Sequence, residues 1–252
     1  MRLDATKSPY GPLHAIAAGA VLLYLMVVDP IARVGFPAFW RQFLYGVKVS
    51  ADAKNIAMML ASTVVVFGGI ALLLWLSTLF VRRRGSESGG AGLSSCERME
   101  GLVFALKAAL PVTFATIVAN MACSAAFEKL AGVKLADQPI VEFLSGGGGS
   151  LAAKSIVVLL VVGEAPLLEE PVFRGIMFRG FARSMPVWAA MLLSGFVFAL
   201  VHLNAATFIP LWFIGVVFAW LYAKTGTILA PMLVHFIFNL VNVCLALAFP
   251  DL

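Results

Sequence analysis

A chain of 252 residues that is 62% hydrophobic and only 12% charged, with a mean hydropathy of +0.98, has more apolar surface than a water-soluble fold can hide. This composition excludes a soluble globular domain, and it makes the net charge of +5 a matter of membrane topology rather than of nucleic-acid binding. Cys96, Cys123 and Cys244 show no metal-ligand spacing and read as small buried hydrophobes, with no disulfide scaffold.

In chain order, the apolar segments long enough to span a bilayer, or nearly so, are Leu13–Val28, Ile56–Val81, Gly101–Phe127, Ser155–Arg183, Val187–Leu203, Phe208–Tyr222 and Thr227–Phe249. They predict an all-α, polytopic transmembrane helix bundle of seven spans, or eight if another lies within 30–55. The opening "MRLDATKSPYGPLHAIAAGAVLLYLMVV" has no small-residue cleavage pattern and reads as a retained first span. Ala38 to Tyr45, "AFWRQFLY", is short, aromatic and basic, which suits an interfacial helix. "RRRGSESGGAGLSSCERME" reads as a polar loop, and "SGGGGS" at 145–150 as a flexible linker. The chain thus divides into three regions: motif-free helices over 1–127, a polar Gly-rich loop over 128–154, and a four-helix core over 155–252 that holds the polar pairs described below.

Positive residues set the orientation. With Arg82, Arg83, Arg84 and Arg98 in the cytoplasm, seven spans put Arg2, Lys7, Arg174, Arg179, Arg183 and Lys224 on or toward that side, ten in all. Seven others (Arg33, Arg41, Lys48, Lys54, Lys129, Lys134 and Lys154) fall outside, so the N-terminus is expected to be cytoplasmic.

Three polar pairs stand out in the second half. Glu170 and Arg174, Phe198 and His202, and His235 and Asn239 are each spaced i, i+4, so each shares one helix face. Ionisable or amide groups inside apolar stretches normally turn inward and mark function. Depth decides whether they can meet. If Ser155–Arg183 is one long helix, Glu169 lies about 21 Å from its Arg183 end, and His202 roughly 23 Å from the same side. His235 is then about 12 Å deep, a difference that tilt and kinks at Pro166, Pro171 and Pro231 can absorb.

A carboxylate in such a pocket can take a proton from water, and an imidazole opposite can hold and polarise that water. A second imidazole and an amide one turn apart suit the oxyanion of an attacked carbonyl. The alternative chemistry sets a zinc ion between Glu169, His202 and His235, although no HExxH helix is present.

"EEPVFR", "FALVH" and "HFIFN", in that order on successive apolar helices, resemble the EExxxR, FxxxH and HxxxN/B motifs of the CPBP intramembrane proteases, the CAAX-protease and bacteriocin-processing group. "KTGTILAPMLVHFIFNLV" also resembles that family's last core helix, and the likeness covers about 155–245. The resemblance implies an intramembrane endopeptidase acting on a membrane-associated or lipidated protein or peptide, of glutamate-dependent or metalloprotease type. It implies Glu169 as the water-activating base, His202 as its partner, His235 and Asn239 as oxyanion donors, and Glu170 and Arg174 as support. The expected partners are that substrate and the lipid bilayer, with no nucleic acid. The cofactor is left open between a metal-free route, which is preferred because an amide beside His235 suits an oxyanion better than zinc, and the zinc alternative.

Plainer readings stand beside these. Glu170 and Arg174 can be a neutralised pair that locks the helix, and Phe198 reads as packing against the His202 ring. Glu164 is a supporting acid or faces a water-filled cavity, Asn204 is a loop cap, and His14 is incidental. Two other function classes fit buried Glu and His: a proton-coupled transporter, for which no internal repeat is found, and a non-catalytic membrane partner or immunity protein of the same fold.

Overall fold

The structure is a computed structural model in which residues 94–131, 143–144, 150–202, 204 and 207–249 are described. The expected spans at 13–28 and 56–81, the interfacial helix at 38–45 and the side of the N-terminus lie outside the described residues.

Helix α1 runs Ser95–Ala131 and starts inside the stretch expected to be a polar loop. The reason is a capping box. The Ser94 hydroxyl accepts from the Glu97 backbone N–H at 3.2 Å, and the Glu97 carboxylate accepts from the Ser94 N–H at 3.0 Å. "S-S-C-E" just before an apolar run is the sequence signature of that box. Along α1, Met99, Val103, Leu106, Leu110, Phe114 and Met121 are exposed, while Ala105 and Ala109 sit in the core. Surface of that kind needs acyl chains as its solvent.

The next helical run is unbroken but uneven. It comprises α2 (Leu151–Leu159), a π-helical stretch π1 (Leu160–Glu164), α3 (Ala165–Glu170), a second π stretch π2 (Pro171–Phe178) and α4 (Arg179–Phe181). Pro166 and Pro171 lie in the first turn of α3 and of π2. A proline gives no N–H to the carbonyl four residues back and crowds it, and the chain widens next to both. The long-helix expectation for 155–183 therefore holds in continuity but not in pitch.

Three more helices follow among the described residues: α5 (Val187–Leu200), α6 (Phe208–Thr225) and α7 (Leu229–Ala248). The Asn204 side chain accepts from the Thr207 N–H at 3.3 Å, capping the entry to α6. Gly226 ends α6 in the left-handed region (φ 71°), its N–H bonded to the Tyr222 carbonyl. That cap, together with the Thr225 and Thr227 hydroxyl bonds, leaves only 226–228 to turn the chain into α7. There is no β-strand among the described residues.

Among the described residues three helices, Ser95–Leu130, Phe208–Thr225 and Leu229–Ala248, are long and apolar enough to cross a membrane. The first of these buries little of its apolar length within the protein. The chain is an integral membrane protein. α5, at 14 residues, reaches only about 21 Å and ends three residues short of the expected Leu203. Of the cysteines, Cys96 and Cys244 are exposed and Cys123 is half-buried, which corrects the expectation of buried hydrophobes.

α5 and α6 cross at two glycines. A Cβ on Gly195 would lie 2.7 Å from the backbone N of Val216 and 3.0 Å from the Trp212 carbonyl, and one on Gly215 would lie 2.9 Å from the Gly195 Cα. Small residues let backbones approach where no hydrophobic force drives helices together. Interhelical bonds add to this, from Trp212 Nε1 to the Leu192 carbonyl (2.9 Å) and from the Ser194 hydroxyl to the Phe173 carbonyl (3.1 Å). Gly195→Ala is expected to destabilise the protein by about 1–3 kcal/mol through overpacking. Gly163→Ala, where an added Cβ meets nothing within 4 Å, serves as the control in a thermal unfolding comparison.

Candidate active site

Burying a charged group in a bilayer is tolerable only with a partner, and the π2 stretch begins with such a pair. Glu170 and Arg174 are fully buried, with Arg174 Nη1 3.1 Å from Glu170 Oε1. Arg174 Nη2 also donates to the Gly215 carbonyl at 3.2 Å, so the α5–α6 glycine crossing presents the guanidinium with an acceptor. Around the guanidinium stand the rings of Phe198, Phe218 and Phe173, at 4.6, 5.0 and 5.6 Å from their centroids.

His235, from the second turn of α7, completes the cluster. Its Nδ1 lies 2.9 Å from Glu170 Oε1, and its Nε2 faces Glu169 Oε2 at 3.9 Å. The ring stacks on Phe218, with centroids 4.8 Å apart and planes at 27°, and meets the edge of Phe198. Glu169 Oε2 is a buried atom with no hydrogen-bond partner, in a side chain that is 18% exposed. A carboxylate oxygen of this kind, beside an imidazole in the last turn of α3 and just ahead of the second widened stretch, has room to accept a hydrogen bond from a small molecule.

The structure gathers Glu169, Glu170, Arg174, Phe198 and His235 directly. His202 joins through Phe198, whose ring lies 4.9 Å from the imidazole. It lies past the end of α5 in the terminal turn, where its Nδ1 is 2.7 Å from the Phe198 carbonyl. Asn239 shares the α7 face of His235, but its amide Nδ2 donates to the Val161 carbonyl of π1 at 2.7 Å. The expected pairing of His235 and Asn239 as two oxyanion donors therefore meets a different arrangement, in which His235 Nδ1 and one Asn239 N–H are taken by groups of the protein itself. Glu164 is half-buried within π1.

Two contributors escape a reading of the sequence. Phe218 clamps both Arg174 and His235 yet is one aromatic among many on α6, and no spacing singles it out. Gly215 matters for its carbonyl, although a close pair of glycines on neighbouring apolar helices is a usable signal.

Zinc requires three or four converging ligands. Among the described residues no group of three or more His, Cys, Asp or Glu side chains is placed to hold a metal ion. Glu169, His202 and His235 as arranged do not fit one.

Residues 151–241 match the family described as Type II CAAX prenyl endopeptidase Rce1-like. This part of the chain is similar to that family. The matched span contains all three motifs and every residue of the cluster above, and it supports the resemblance to the CPBP proteases. The chain is also 34% identical over 84 residues to "Putative membrane peptidase YdiL" of Bacillus subtilis (strain 168). That match takes in 33% of this chain and 34% of the relative, so the chain spans about a third of the relative's length. No solved structure gives a significant match. The family is described as an endopeptidase and the relative is named a membrane peptidase, and the span that matches the family is where Glu169, His202 and His235 reside.

Proposed function

We propose that the protein is an intramembrane endopeptidase that hydrolyses a peptide bond of a membrane-associated or lipidated protein or peptide. The observation that carries this reading is the buried, unpartnered Glu169 Oε2 facing His235 Nε2 across 3.9 Å. That separation is too long for a direct hydrogen bond, and it leaves both atoms turned to the same side, where one water can bond to each. Glu169 takes a proton from this water as the water oxygen bonds to the substrate carbonyl carbon and the carbonyl electron pair moves to oxygen. When the tetrahedral intermediate collapses, the same proton passes to the leaving amine, and the C–N bond breaks. His202, with Nδ1 committed to the Phe198 carbonyl, offers Nε2 to water or substrate. Asn239 keeps one amide N–H for the developing oxyanion. Lipidation of the substrate rests on the name of the matched family, and no residue of the cluster reads a prenyl group.

The test is cleavage of a panel of lipidated and unlipidated peptides by the purified protein and by Glu169→Ala. Turnover that is equal in both, or absent from the wild type on every peptide, would favour the non-catalytic membrane partner.

Because the cluster's ligand geometry does not fit zinc, chelators are expected to leave peptide turnover largely intact, and metal analysis of an active preparation to give far less than one zinc per chain. Stoichiometric zinc, with activity lost on stripping and restored on readdition, would overturn the metal-free route.

A further inference from the structure

A neutral imidazole carries one N–H, and the hydrogen bond at one ring nitrogen decides which nitrogen holds it. We infer that Glu170 is the positioning residue for His235: it fixes the ring as the Nδ1–H tautomer, so that an Nε2 lone pair faces Glu169. The inference rests on the hydrolytic reading above only for its consequence, not for its geometry.

The argument begins with Arg174, a fully buried guanidinium that stays charged. Its ion-pair partner is Glu170, which must therefore be a carboxylate and has no proton to give. The same oxygen, Glu170 Oε1, lies 2.9 Å from His235 Nδ1. An ionised carboxylate only accepts, so the proton in that bond belongs to Nδ1. The reverse assignment would protonate Glu170 and leave a buried guanidinium beside a neutral acid.

His202 reaches the same state by another route. Its Nδ1 lies 2.7 Å from the Phe198 carbonyl, and a carbonyl can only accept. Both site imidazoles thus present Nε2 lone pairs. In the resting protein neither histidine, while neutral, can donate from Nε2 to a substrate carbonyl. His235 becomes such a donor only after it has taken a proton. This ordering differs from a preformed pair of donors at His235 and Asn239.

The experiment is nitrogen-15 NMR of the full chain, labelled at histidine and held in nanodiscs at mildly alkaline pH. The chain has three histidines, and His14→Gln leaves two sets of ring signals, assigned by His202→Ala and His235→Ala. The expected result is a protonated, pyrrole-type Nδ1 and a pyridine-type Nε2 for both His202 and His235. A pyridine-type Nδ1 at His235, or both of its nitrogens protonated, would overturn the inference. In the double variant Glu170→Leu/Arg174→Met, which removes both charges together, His235 is expected to move to Nε2–H with Glu169 as its acceptor, while His202 keeps its tautomer. An unchanged His235 in that folded variant would remove Glu170 as the fixing group, and if the variant does not fold, the wild-type spectrum alone decides. The spectrum does not depend on turnover. An active protein with the wrong tautomer sinks this inference alone, and the right tautomer without proteolysis sinks only the hydrolytic reading.

Discussion

Glu169→Gln is expected to lower kcat roughly 10²–10⁴-fold while the protein stays folded in the membrane. The substitution keeps the shape of the side chain and removes its capacity to take a proton. It should be tolerated because Glu169 is 18% exposed and its Oε2 has no bond to lose. His202→Ala and His235→Ala are expected to fall as far. Since all three groups would serve one water and one carbonyl, a double variant should be little worse than either single one. Turnover and thermal unfolding measured on the same preparations separate loss of chemistry from loss of fold. Near-wild-type turnover in Glu169→Gln would remove it as the base.

Arg174→Ala is expected to cost about 3–5 kcal/mol of stability, because it strands the buried Glu170 carboxylate without a counter-charge. It also withdraws the donor from the Gly215 carbonyl and empties a space between the rings of Phe173, Phe198 and Phe218. Lower expression, a reduced unfolding temperature and lost activity should appear together. Arg174→Lys should recover only part, since an ammonium cannot reproduce the planar contact with those rings. Adding Glu170→Gln to Arg174→Ala should restore some stability, as expected when two residues share one interaction. Lost activity with unchanged stability would show instead that Arg174 contacts substrate.

The local pairs of this site are legible in the sequence because helical spacing is local. Glu170 and Arg174 do meet, and the Phe198 and His202 rings do pack, as their i, i+4 spacing implies. What the sequence does not disclose is how the pairs face one another. The bond between His235 and Glu170 spans 65 positions, and no periodicity encodes it. The spacing of Asn239 from His235 suggests a shared substrate contact, yet the first wide turn brings the Val161 carbonyl within reach of that amide. Two features of the fold had a visible signal. Ser94 and Glu97 form a recognisable helix start, and Gly195 with Gly215 a close crossing.

The wide turn at Leu160–Glu164 has a consequence for how the chain tolerates change in length. A π turn holds one residue more than an α turn, so deleting one residue here would let the stretch close into regular helix. Because the wide turn itself takes up the extra residue, the helix before it and the helix after it would keep nearly the same angular phase. A deletion within Leu151–Leu159 has no such slack, and each residue removed there turns the preceding chain by about 100° against the enclosed Phe173, Arg174 and Phe178. The cost of closing the wide turn falls instead on its own contacts, the buried Val162 and the Val161 carbonyl that holds Asn239, so the same one-residue change is a local repair in one segment and a rotation in its neighbour.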